Sequence, residues 1–204
     1  MNYADKAPAF VAASQGYDVW LNNSRGNKYS RAHTSLNPNK NKFWYTDWED
    51  MGLKDQPAVM EYITRQTGQE KVSYIGHSQG TTQFFHALSE NNSYFADHVN
   101  LFVALAPITK IPNTESGTIK FAAFNYRLLY DAIDLVGYWE MLPANWATST
   151  LSNLFCNNLL DFCILLEEFF ATDDPSTDDK DRCNVYFDHF PAGTPTQSIL
   201  HYGQ

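Results

Sequence analysis

The sequence predicts an α/β protein in which parallel strands alternate with helices and a mainly helical segment follows. Three observations carry this. Short apolar runs rich in β-branched and aromatic residues, at 17–21, 72–75 and 99–106, read as buried strands. Helix-competent segments at about 48–66 and 79–89 separate the later strands, an alternation that builds a parallel sheet with right-handed crossovers. From residue 119 to 171 the spacing turns helical and dense in apolar residues, among them Phe121, Phe124, Leu128, Ile133 and Trp139. The chain therefore divides into a sheet-bearing region, 1–108, and a helical region, 109–204.

Taken in order, residues 9–13 form a short apolar helical run that Gly16 stops. Residues 22–27, with Gly26, are turn chemistry after the first strand, and the polar stretch 28–41 with Pro38 is a surface loop. Asp47, Glu49 and Asp50 favour a helix start through the helix dipole, and Pro57 interrupts or restarts that helix. The strand at 72–75 and the helix at 79–89 follow, then the strand ended by Pro107.

The most informative stretch joins that middle strand to its helix: Gly76-His77-Ser78-Gln79-Gly80. Gly-x-Ser-x-Gly in a strand-turn-helix context makes a nucleophile elbow, a cramped bend that lifts the serine hydroxyl clear of the sheet. Side chains at the flanking positions would collide with the neighbouring strand or helix, which accounts for Gly76 and Gly80. The free N–H groups opening the helix point to where a tetrahedral oxyanion would form. A Gly-rich turn beside a serine is also common in proteins without catalytic chemistry, so the motif gains weight from its context rather than from its letters.

Composition bounds the alternatives. A chain of 204 residues, 44% hydrophobic and 18% charged, is long enough for one domain with a real core. A net charge of −9 disfavours nucleic acid. The acidic cluster at 173–181 reads as a solvated loop whose spacing does not follow an EF-hand, and no Cys or His cluster has metal-ligand spacing. No uninterrupted apolar run could span a bilayer, and no signal peptide is visible at the start. Asn22 and Asn91 head glycosylation sequons that matter only in the secretory pathway. Three cysteines, Cys156, Cys163 and Cys183, allow one pair and one free thiol.

Several blocks together resemble the acid lipases, the gastric and lysosomal acid lipase group. They are Gly16-Tyr17-Asp18-Val19-Trp20-Leu21 with Asn23-Ser24-Arg25-Gly26-Asn27, Phe43-Trp44, Asp55 with Pro57-Ala58, the elbow, Ala104-Leu105-Ala106-Pro107, and Pro191-Ala192-Gly193-Thr194 with Gln197 and His201. The resemblance is collinear and runs over nearly the whole chain. It implies a partial α/β-hydrolase fold, with core at 1–108 and a helical cap at 109–204, and hydrolysis of lipid carboxylic esters such as triacylglycerols or sterol esters. It further implies Ser78 as nucleophile, the Gln79 amide as one oxyanion donor, no cofactor, and contact with a lipid-water interface through the cap. Localisation would be lysosomal or secreted if an amino-terminal signal precedes these residues.

The resemblance also implies a gap. In such enzymes the triad runs serine, acid, histidine, and both later members follow the cap, so here they are expected beyond Gln204. His189 and His201 follow Ser78, with Asp131, Asp134 and Asp161 between, yet both histidines match cap positions. His33, His77, His86 and His98 precede or flank the elbow, where a packed or solvated imidazole is the usual outcome. Cys156 and Cys163 lie where acid lipases carry a cap disulfide. In one continuous helix their spacing would be about 10.5 Å, too far to bridge, so either a break joins them or both stay thiols. A noncatalytic relative that keeps an apolar surface, and a thioesterase, are the rival readings. The helical region either packs its apolar faces together or lines an acyl-chain pocket.

Overall fold

The computed structural model describes residues 3–110, 117–141 and 192–203, together with residues 143, 182, 185 and 189. The expectations for Cys156, Cys163, Cys183, Asp161, the acidic cluster and the helices between 144 and 181 lie outside the described residues. Packing groups the chain into two compact units, one of residues 1–21 with 142–193 and one of 22–141 with 194–204.

In the first unit, helix α1 (Pro8–Ser14) places Pro8 in its first turn and is followed by Gly16 at φ +91°, the stop that the sequence signals. Residues 17–21 form no strand, which corrects the first predicted strand. A strand exists only with a neighbour to share its ladder, and among the described residues this run shares none. Tyr17 and Leu21 accordingly stay largely exposed, at 72% and 76%.

The second unit holds the sheet. Asp47 caps helix α2 (Trp48–Asp50), its Oδ1 accepting from the N–H groups of Glu49 at 2.9 Å and Asp50 at 3.4 Å. The helix then loosens into a π turn (Met51–Asp55) and tightens again as α3 (Gln56–Thr67), with Pro57 in its first turn and Gly68 ending it at φ +71°. The expected break is thus real, and it falls just ahead of the proline, whose ring and missing N–H disturb the preceding turn.

Strand β1 (Val72–His77) runs parallel to β2 (Val99–Leu105), with Tyr74 opposite Phe102 and His77 opposite Leu105. Between them run α4 (Gln79–Glu90) and α5 (Asn92–His98), the crossover that parallel strands require. One face of the strand pair packs on α3, α4 and α5. Met60, Phe84, Ala87 and Phe95 are buried there against Val72, Tyr74, Val99 and Phe102, and Tyr74 stacks on Phe84 with centroids 4.3 Å apart.

Helices α6 (Gly117–Phe124) and α7 (Tyr126–Val136) realise the first part of the helical region. A two-residue ladder then pairs β3 (Glu140–Met141) antiparallel with β4 (Thr194–Pro195), which leads into α8 (Thr196–His201). Trp44, Tyr130, Ile133, Trp139 and Leu200 line a cavity of about 20 Å³ among these elements. That is room for one water, far short of an acyl chain. Among the described residues no helix is long and apolar enough to cross a membrane.

Candidate active site

Ser78 sits between β1 and α4 with φ +52° and ψ −120°. Left-handed backbone at a residue bearing a Cβ costs on the order of 1–3 kcal/mol, and it persists only where the surroundings enforce it. Here both backbone groups of Ser78 are held. Its N–H donates to the Leu105 carbonyl at 3.0 Å, and its own carbonyl accepts from the Thr81 N–H at 2.9 Å and the Thr81 hydroxyl at 2.6 Å.

The side chain is used differently. Ser78 occupies the N-cap position of α4, where a serine hydroxyl ordinarily accepts from the helix's first N–H groups, yet it makes no capping hydrogen bond. Ser78 is half-buried, and among the described residues its hydroxyl has no hydrogen-bond partner. The Gln79 amide opens the helix and has no carbonyl a turn earlier to bond. Its side chain reaches the Met51 sulfur at 3.7 Å.

The two glycines of the motif differ. A Cβ on Gly76 would lie 2.9 Å from the Gly80 carbonyl carbon and 3.0 Å from the Thr81 nitrogen, so strand and helix touch backbone to backbone. A Cβ on Gly80 would meet only the Tyr74 hydroxyl, at an ordinary 3.7 Å. The steric expectation therefore holds for Gly76 and is corrected for Gly80, whose backbone touches the strand but whose own Cβ position is open apart from the Tyr74 hydroxyl.

Behind the elbow lies a buried polar layer. The Tyr74 hydroxyl donates to the Gly80 carbonyl at 3.0 Å and accepts from Gln56 Nε2 at 3.2 Å. Gln56 also donates to Gln83 Oε1 at 3.1 Å, and Gln83 Nε2 contacts Ser24 Oγ at 3.4 Å. Burial pushes the Tyr74 phenol up to about 12. Two blocks far apart in sequence meet nearby: Asp55 accepts from Arg25 Nε at 2.9 Å, Arg25 Nη2 at 2.5 Å and the Arg25 backbone N–H at 3.0 Å. This paired clamp fixes the turn containing Gly26, whose φ is +83° and which packs against the Trp44 ring.

Among the described residues no histidine is hydrogen-bonded to Ser78, and four of them make other contacts. His33 Nδ1 accepts from the N–H groups of Ser35 and Leu36, and His98 Nδ1 contacts the Tyr94 carbonyl at 2.8 Å. His86 packs edge-on against Trp48, while His77 and His189 are exposed. Asp131 and Asp134 are exposed on α7, Asp134 accepting from Trp139 Nε1 at 3.3 Å.

His201 is the most engaged. Its Nδ1 lies 3.0 Å from Asp47 Oδ2 and its Nε2 3.6 Å from Glu49 Oε1, and its ring stacks on Trp48 at 4.3 Å. The ligand atoms of Asp47, Glu49 and His201 lie within 4.8 Å of one another, the scale of a small cation site. The arrangement is an imidazole clamped between two carboxylates, and it ties α8 to α2. Asp47 and Glu49 signalled only a helix start in sequence; pairing with a residue 154 positions away leaves no local pattern.

A family model described as the alpha/beta hydrolase fold matches residues 4–162. The chain is 38% identical over 205 residues to the gastric triacylglycerol lipase of Mus musculus. It is 37% identical over 208 residues to the lipase lipl-3 of Caenorhabditis elegans, and 35% identical over 209 to the lysosomal acid lipase/cholesteryl ester hydrolase of Macaca fascicularis. Each alignment takes in 100% of this chain and 50–51% of the relative, so the chain spans about half the length of the curated relatives it matches. A parallel strand pair joined through a serine elbow, and similarity along the whole chain, lead to one assignment: the chain belongs to the alpha/beta hydrolase family, within which it is similar to the acid lipases.

Proposed function

We propose that these residues carry the nucleophile of a serine ester hydrolase of the lipase type, acting on lipid esters such as triacylglycerols or sterol esters. The observation that carries the reading is Ser78 at φ +52° with its hydroxyl unused by the helix it caps. Ser78 Oγ would attack the ester carbonyl and form an acyl-enzyme, which water then releases. The Gln79 N–H is the proposed donor to the oxyanion, an interaction worth about 3–4 kcal/mol in the transition state. The names of the relatives support the substrate class.

A base must take the Ser78 proton, and no imidazole among the described residues is hydrogen-bonded to Ser78: those of His33, His98 and His201 bond other groups. The acid and base are therefore proposed to come from residues outside this chain, with the helical region 109–204 as the surface that meets lipid. The same observation favours the second reading, a noncatalytic relative. The two separate in a chimera whose matching half of mouse gastric lipase is replaced by residues 1–204. Turnover of p-nitrophenyl butyrate that falls about 10⁴-fold or more in Ser78→Ala is the expected result. A folded chimera with no Ser78-dependent turnover supports the noncatalytic reading, and turnover indifferent to Ser78→Ala overturns the nucleophile.

A further inference from the structure

Among the described residues, two non-glycine residues have positive φ: Ser78 at +52° and Ala106 at +45°. They belong to one hydrogen-bonded ring. The Ser78 N–H reaches the Leu105 carbonyl; Ala106 and Pro107 follow; the Ile108 N–H then donates to Thr81 Oγ1 at 2.9 Å; and Thr81 Oγ1 donates to the Ser78 carbonyl at 2.6 Å, closing the ring. Thr81 is fully buried, at 0% exposure.

A helical threonine commonly bonds a carbonyl three or four residues earlier, so the link to Ser78 alone would be ordinary. The link to Ile108, 27 residues on, is not. It occupies the hydroxyl's acceptor side and fixes its rotamer, so the proton has one place to go. Thr82 doubles the attachment: its Oγ1 donates to the Ile108 carbonyl at 2.9 Å and accepts from the Tyr202 hydroxyl at 3.0 Å. Both polar groups of Ile108 are thus held by adjacent hydroxyls of α4.

We propose that Thr81 is a positioning residue: its hydroxyl locks the strained backbone of Ser78 by clipping the elbow to the loop after β2. The inference rests on the reading of Ser78 as nucleophile. Thr81 touches no reacting atom; it acts by fixing where Ser78 Oγ stands relative to the Gln79 N–H. Without the clip, the elbow relaxes toward unstrained φ, and displacement on the scale of 1 Å costs a reaction about 100-fold.

Thr81→Val keeps the shape and removes both hydrogen bonds, while Thr81→Ser keeps the hydroxyl. In the 204-residue chain, amide hydrogen exchange at Ile108 is expected to accelerate at least about 10-fold in Thr81→Val and stay near the parent rate in Thr81→Ser. In the chimera, Thr81→Val is expected to lower kcat by about 10–100-fold with KM within about twofold, and Thr81→Ser to restore kcat to within a few-fold. Unchanged Ile108 exchange in Thr81→Val, or parental kcat in Thr81→Val of a chimera that Ser78→Ala inactivates, overturns the positioning role. Activity that survives Ser78→Ala instead overturns the nucleophile reading, so the two failures are distinct.

Discussion

At Ser78 the chain accepts an unfavourable backbone angle and forgoes a helix cap, which leaves the hydroxyl unused by its own helix. The flanking glycines provide a test of how this bend is built. Gly76→Ala drives a methyl into the backbone of Gly80 and Thr81 and is expected to cost about 1–3 kcal/mol in urea denaturation. Gly80→Ala meets open space apart from the Tyr74 hydroxyl, and is expected to leave stability unchanged or raise it by up to about 1 kcal/mol. Equal losses at both positions would show that the elbow is tighter than its contacts indicate. Tyr74 gives the layer behind it a pH signature. Its phenol is raised by burial to about 12, above the unfolded value near 10, so its contribution to stability is complete below pH about 10 and is lost as pH rises toward 12. Stability measured against pH should fall over that window, and Tyr74→Phe should remove this part of the fall.

The elements show where sequence was legible and where it was not. β1, α4 and β2 were readable because their signals are local: β-branched runs, a glycine-framed serine and a proline stop. The run at 17–21 has the same local signal and no strand, since strand formation is decided by a neighbour that periodicity cannot see. The elbow and its serine could be read from spacing, but the ring through Thr81 and Ile108 and the clamp of His201 by Asp47 and Glu49 join residues far apart in sequence. The π turn also hides a close approach: a Cβ on Gly52 would stand 2.4 Å from the Gln83 carbonyl oxygen. Gly52→Ala should therefore destabilise by about 1–3 kcal/mol, read as a lowered urea midpoint, and a neutral result would mean that the π turn and α4 separate freely.

For the molecule as a whole, the parallel strand pair has a face that no helix among the described residues covers. Tyr74 and Phe102 point into the core, so Ile75, Leu101 and Leu105 share the opposite face, and they are 60%, 55% and 42% exposed. Parallel strands are ordinarily covered on both faces, and an apolar strip of this kind promotes association. The 204-residue chain is expected to self-associate with concentration in sedimentation velocity, and Ile75→Lys with Leu101→Lys to suppress it. Monomeric behaviour of the parent chain at high concentration would contradict that reading. The central claim remains chemical, and mass spectrometry of the chimera trapped with an organophosphate ester addresses it most directly. The account predicts a single covalent phosphoryl adduct on the peptide containing Ser78, lost in Ser78→Ala; an active chimera labelled elsewhere, with Ser78 unmodified, would contradict it.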